Sequence, residues 1–243
     1  PTVPDIAVEA DSLTCSVQTV TIQATTTTPN VTFQWTGPNG FTSTVEDPAV
    51  SVPGSYTVIA QASSGCTSTF AYSVTQNINA PGATAVGDTL TCTVPTGTIS
   101  GGSPTAGVSY VWNGPGGFTS NIAKPVVTKT GTYTLTTTSS NGCTSIATAQ
   151  VVPDQSIPQI SITTGTITCA VPSIQLSAVS LNVPNATRHW SGPGNFTSAL
   201  SNPAVTQPGN YSVIATAPNG CTSTTGGIVA DDTDGPAVNV GTP

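Results

Sequence analysis

Hydrophobic and polar residues alternate along this chain in short runs. Val20, Ile22 and Ala24 are separated by Thr21 and Gln23, and Val31, Phe33 and Trp35 follow the same pattern, as do Tyr56, Val58 and Ala60. A period of two puts every second side chain on one face of a strand, so each run predicts a strand with one face buried. Between the runs, pairs such as Gly37-Pro38, Asn39-Gly40 and Pro53-Gly54 mark turns. No window carries a helical period. About seven short strands in so little chain read as a β-sandwich.

The pattern then repeats. Cys15, Cys92 and Cys169 are spaced at 77 residues, and Trp35, Trp112 and Trp190 follow the same period, as do Tyr56, Tyr133 and Tyr211. A proline stands 11 residues before each of those cysteines, at Pro4, Pro81 and Pro158. Each unit returns to one phrase at its second cysteine: Gly65-Cys66-Thr67, Gly142-Cys143-Thr144 and Gly220-Cys221-Thr222. A fixed period of this kind is the mark of tandem modules. The expected organisation is an all-β chain of three tandem immunoglobulin-like or PKD-like sandwiches over residues 1–78, 79–155 and 156–234. Residues 235–243, ending "PAVNVGTP", read as the start of a further repeat and imply more copies on both sides.

Modules this small bury a limited core and gain from a covalent staple. With six cysteines in a threefold repeat, the simplest expectation is one bridge per unit: Cys15–Cys66, Cys92–Cys143 and Cys169–Cys221. Closing a loop of about 50 residues would stabilise each unit by roughly 4 kcal/mol at most. Zinc is the rival reading of paired cysteines, but no unit has close Cys-x-x-Cys spacing and the chain has a single histidine. The second cysteine follows the tyrosine by 10 residues in the first unit, whereas antibody-type domains place their tyrosine two residues before it. It therefore falls near the start of the last strand.

The phrase "WTGPNGFTS" from Trp35 returns at Trp112 and Trp190. A phosphate-binding loop would need a helix behind it and usually a lysine. Strand alternation instead points each tryptophan inward, and Gly-Pro turns the chain so that Phe41, Phe118 or Phe196 re-enters the core. The residues Trp35, Phe41, Trp112, Phe118, Trp190 and Phe196 are thus expected to form one structural corner built three times. Glycan-stacking tryptophans are the competing reading.

Only 3 of the 243 residues are Lys or Arg against 10 Asp or Glu, a net charge of -7. Such a surface cannot neutralise phosphates, which excludes nucleic acid, and it does not recruit an anionic membrane. No apolar run approaches the roughly 20 residues of a membrane span. Six cysteines and no methionine fit an oxidising compartment, so the chain is expected to be extracellular or at a cell surface.

The ordered set "LTC", "W-x-GP-x-GFTS", "G-x-Y" and "GCTS" resembles the PKD-like and immunoglobulin-like repeats of very large Bacteroidota surface proteins, including gliding-motility adhesins of the SprB type exported by the type IX system. That resemblance covers all three units. It implies a stalk or filament segment carrying adhesive function away from the cell, with neighbouring repeats of the same chain as partners. Lateral self-association and surface glycans are further expectations. Carbohydrate-binding modules, or accessory repeats of a secreted enzyme, are the alternative roles. Asp11-Ser12-Leu13 and Asp88-Thr89-Leu90 resemble the Bacteroidota O-glycosylation acceptor, making Ser12 and Thr89 candidate glycan carriers. The third unit has Gly165 in place of the acid.

No catalytic residue, cofactor or metal is expected. His189 has no companions for a triad. Arg188 replaces the aromatic residue of the other units and reads as a local substitution or a cation–π partner of Trp190. Asp154, Asp231, Asp232 and Asp234 gather at unit boundaries and read as solvated linker charge rather than as a calcium site. The N-x-S/T sequons at Asn30, Asn185, Asn195 and Asn210 are read as accidents of composition.

Overall fold

The computed structural model describes residues 2–235. The expected start of a further repeat at residues 235–243 therefore lies outside the described residues from 236 onward. The described chain is built from strands, with 3-10 turns at Pro38–Gly40 and Pro193–Asn195 and no α-helix.

The chain divides into two compact units that do not follow the sequence period. One takes in the chain up to Gly87 with Ile99–Pro125 and Thr132–Gln150; the other takes in Asp88–Thr98, Val126–Gly131 and the chain from Val151 onward. The first contains the whole first repeat and much of the second. The second contains the rest of the second repeat and the third.

In the first repeat, Phe41–Ser43, Thr32–Gly37, Gly54–Gln61 and Thr67–Val74 form an antiparallel sheet in that order. Facing it, Ala7–Glu9 pairs with Gln23–Thr25 and Val20–Thr21 pairs with Ala49–Val50, both antiparallel. The alternation read from the sequence places Trp35 opposite Val58 and Phe33 opposite Ala60 across the sheet, so one face carries the bulk and becomes the core. Leu13, Ile22, Trp35, Tyr56, Val58 and Val74 fill the space between the layers. The third repeat reproduces this arrangement around Ile167, Leu176, Trp190, Tyr211, Val213 and Val229.

One pairing in each repeat runs parallel. Leu13–Thr14 lies beside Gln76–Asn77, Asp88–Thr91 beside Val151–Asp154, and Thr166–Thr168 beside Ala230–Asp232. The short early strand of a repeat thus ends level with the end of its last strand. That register fixes where the first cysteine of each repeat must sit.

Candidate functional site: the corner and the bridged junction

Each corner grows from the strand that ends in tryptophan. Trp35, Trp112 and Trp190 are fully buried. Trp35 Nε1 donates to the Glu46 carbonyl at 3.2 Å, and Trp190 Nε1 to the Leu200 carbonyl at 3.0 Å, so two indoles satisfy their one polar group on backbone. Trp112 Nε1 has no partner. The glycine two residues on is required by closeness: a Cβ at Gly37, Gly114 or Gly192 would run into the ring of Tyr56, Tyr133 or Tyr211. Phe41, Phe118 and Phe196 are half-buried. They meet those tyrosines edge-on, with ring centroids 5.3, 5.2 and 5.5 Å apart, and Phe41 and Phe196 pack half-buried against the core clusters of their repeats.

The tyrosine hydroxyls complete the corner. Tyr56 donates to the Val52 carbonyl at 2.8 Å and Tyr211 to the Gln207 carbonyl at 2.9 Å, the backward-reaching bond of immunoglobulin-like sandwiches. Burial pushes both phenols above their usual range. A fully buried indole has no face to offer a sugar, so the three tryptophans are structural.

The cysteines correct the expectation of one bridge within each unit. Cys15 is bonded to Cys143 and Cys92 to Cys221, across sequence separations of 128 and 129, while Cys66 and Cys169 are free. The pairs Cys15–Cys66, Cys92–Cys143 and Cys169–Cys221 do not form. The physical reason lies in the sheet register. Cys15 follows Thr14, which sits beside Asn77 near the end of the last strand, whereas Cys66 precedes Thr67 at that strand's beginning. Ten residues of extended chain separate the two by roughly 30 Å, and a disulfide spans less than about 7 Å between Cα atoms. In the third repeat, Cys169 lies past Thr168, beside Asp232, and Cys221 precedes Thr222 at the opposite end of the strand Thr222–Asp232.

Each bridge therefore joins the first cysteine of one repeat to the second cysteine of the next, and polar contacts surround it. Ser16 Oγ and the Ser16 backbone N–H both donate to the Asn141 carbonyl at 3.3 Å. At the other bridge Thr93 Oγ1 donates to the Asn219 carbonyl at 3.4 Å. Asn141 Nδ2 reaches back to the connecting segment, donating to the Asn77 carbonyl, Asn77 Oδ1 and the Asn79 carbonyl at 3.3, 3.1 and 3.0 Å. Asn219 makes the matching bonds to the Asp154 carbonyl, Asp154 Oδ1 and the Ser156 carbonyl at 3.2, 2.9 and 3.2 Å. In both, asparagine Oδ1 accepts the N–H of the bridged cysteine at 3.0 Å. The Asn219 bond, aided by the Ser156 backbone, holds the Asp154 carboxyl below the usual carboxylate range.

The remaining candidates fall elsewhere. His189 is exposed on its strand, opposite Ile214. Arg188 donates from Nε to the Ala178 carbonyl at 2.8 Å and from Nη1 to the Ala186 carbonyl at 3.0 Å, so it ties loop to strand through backbone. Asp231 Oδ1 accepts from the Thr233 N–H and hydroxyl. Among the described residues no three His, Cys, Asp or Glu side chains gather as a metal site. Ser12 and Thr89 are both exposed, with Ser12 Oγ 2.6 Å from Thr75 Oγ1. Asp88 accepts from the Thr98 and Thr89 N–H groups at 2.7 and 2.8 Å, which lowers its carboxyl below the ordinary range. At three of the four sequons the asparagine, Asn30, Asn185 or Asn195, takes a φ of 57, 61 or 60°, a region asparagine tolerates better than most residues.

No protein-family model matches this sequence, and comparison with curated proteins finds no match. Solved structures do match in fold. A structure from a 1.5-MDa bacterial ice-binding adhesin aligns over 96% of this chain and 99% of its own at a TM-score of 0.50 and 12% identity. Extracellular domains 3–5 of Drosophila OTK align over 88% of this chain and 92% of their own, at 0.33 and 11%. Immunoglobulin domains 1–5 of Sidekick-1 align over 95% of this chain and 59% of their own, also at 0.33 and 11%. At these identities the likeness concerns fold alone. The chain is all-β and built of tandem immunoglobulin-like sandwiches.

Proposed function

We propose that this chain is a stalk or filament segment of a large extracellular repeat adhesin, each repeat of about 77 residues being one module of the boundaries given above. The observation that carries this reading is the placement of the bridges. Both formed disulfides tie one repeat to the next, at a junction also held by Asn141 or Asn219. A module that worked alone would gain most from a staple inside itself. Staples between modules resist their separation, which is what a tether under tension requires. Disulfides also favour an oxidising, extracellular compartment. The resemblance to SprB-type Bacteroidota repeats, with type IX export and display at a cell surface, supplies the finer form of the same reading.

Single-molecule stretching tests it. With the bridges intact, Cys15 cannot separate from Cys143 nor Cys92 from Cys221, so the unfolded chain extends far less than after reduction. Equal extension before and after reductant would remove the mechanical role. A glycan array provides the contrast: saturable sugar binding would replace the tether reading with a recognition module.

Ser12 and Thr89 are proposed to carry O-linked glycans in the native host, and Thr166, which follows Gly165, is not. Mass spectrometry of native material is expected to show both sites occupied. Finding both bare would end that proposal.

A further inference from the structure

Cys66 and Cys169 are free, yet each stands in a loop whose two counterparts are bridged. The second-cysteine loops share one backbone. Ala62, Ser139 and Ala217 donate their N–H to the carbonyls of Cys66, Cys143 and Cys221 at 2.9, 3.0 and 2.8 Å, and Gly65, Gly142 and Gly220 close the turn on the same three residues at 2.9 Å each. The first-cysteine loops share another. Thr14, Thr91 and Thr168 donate to the carbonyls of Val17, Val94 and Val171 at 2.8, 2.9 and 3.1 Å, and their hydroxyls accept the N–H of the same valines. Both free cysteines therefore sit in the conformation that the bridged ones adopt, and neither loop must rearrange to react.

What differs is cover. A Cβ on Gly142 would meet Ser16, and one on Gly220 would meet Thr93, each from the repeat that supplies the partner cysteine. A Cβ on Gly65 would meet nothing within 4 Å. Cys143 and Cys221 are each 2% exposed, while their counterpart Cys66 is half-buried; Cys169 is exposed, as the bridged Cys15 and Cys92 are. Cys169 Sγ donates to the Thr233 carbonyl at 3.3 Å. The surface that two neighbours cover at the formed bridges is open at Gly65.

We infer that Cys169 and Cys66 are the two halves of a third junction, and that Cys169 of one copy of this chain bonds Cys66 of a second copy, head to tail. The register of the two formed bridges, first cysteine to the second cysteine of the following repeat, predicts this pairing and excludes like-with-like pairing. Any further repeat with the same loops would offer the same chemistry, and the inference does not depend on an adhesive role. Two thiols become one disulfide, with two electrons and two protons passing to a small-molecule disulfide such as oxidised glutathione. One thiolate attacks that disulfide and expels a glutathione thiolate; the second attacks the protein sulfur of the mixed disulfide and expels the other. Ser64 replaces Asn141 and Asn219, and Ala170 replaces Ser16 and Thr93. The junction between copies therefore lacks the asparagine clamp and the hydroxyl contact, and rests on the bridge and the fit of the loops.

The purified chain is incubated in a glutathione redox buffer and separated without reductant. A ladder of dimers, trimers and longer species is expected, with a crosslinked peptide pair containing Cys66 and Cys169. Cys66→Ser and Cys169→Ser, each alone, should remain monomeric, and their equal mixture should stop at a dimer. Peptide mapping of Cys15–Cys143 and Cys92–Cys221 confirms that each variant has folded. In native material, a Cys66 partner peptide of sequence "TITCAVPS" identifies a second copy, whereas a different peptide of the same pattern would overturn pairing between copies in favour of a further repeat. Single variants that dimerise as readily as their mixture, or a wild-type chain that stays monomeric with both thiols open to alkylation, would overturn the inference.

Discussion

The corner and the junction use the same repeated residues in opposite ways. Every part of a corner comes from one repeat: Trp35, Gly37, Phe41 and Tyr56 lie within 22 consecutive residues, and the indole and hydroxyl bonds return to backbone close by. A junction takes Cys15 and Ser16 from one repeat and Asn141 and Cys143 from the next. Local sequence therefore dictates the corner, whereas a junction exists only when two repeats meet. Damage to a corner should stay in its repeat, and damage to a junction should separate neighbours that remain folded.

The largest expected effect comes from the corner. Trp35→Ala removes a fully buried indole and should cost about 4 kcal/mol, read by denaturant unfolding of the first repeat. The Cys92–Cys221 bridge, which shares no residue with that core, should still form on peptide mapping. Its loss would mean that the corner acts beyond its own repeat.

Replacing both Cys15 and Cys143 by serine should lower stability by about 3 kcal/mol, within the usual range for a native bridge. Hydrogen exchange should rise around residues 14–17 and 139–143 while the strands holding Trp35 and Trp112 keep their protection. Collapse of protection in both cores would show that the junction is part of each fold and not a link between folds.

The smallest effects separate the two junctions. Asn141→Ala removes the bonds to Asn77 and Asn79 and should cost about 1 kcal/mol. At the second junction, Asp154 takes the place of neutral Asn77 and adds a pH dependence. Its folded carboxyl is held below the usual carboxylate range, chiefly by Asn219. The sign follows: this stabilisation is fully present above the unfolded value and is lost as pH falls through the lower folded one. Protection around residues 154–156 should therefore fall on acidification, while that around residues 77–79 should not, and Asn219→Ala should abolish the difference. Parallel responses at both junctions would remove the role assigned to Asp154.

Much of the corner was legible because strand alternation is local. The burial of Trp35, Trp112 and Trp190 follows from their place in a period-two run. The partial exposure of Phe41 does not, since it depends on Tyr56 filling the space that Gly37 leaves. The cysteine pairing does not follow from the repeat period alone, although the sequence carries a signal of it. Cys66 follows Tyr56 by 10 residues, which sets it at the start of the last strand, and Cys15 ends the short strand before the core run. Placing them apart requires knowing that Leu13–Thr14 runs parallel to Gln76–Asn77. Such pairing joins residues more than 60 apart and leaves no periodic trace.

The sequence alone determined the strands, the period and the inward face of each core, because alternation, turn chemistry and repetition act through neighbours along the chain. Tertiary structure decided which cysteine meets which, because that depends on where each strand ends once the sheets have formed. A staple expected inside each repeat became a link between repeats through that geometry alone.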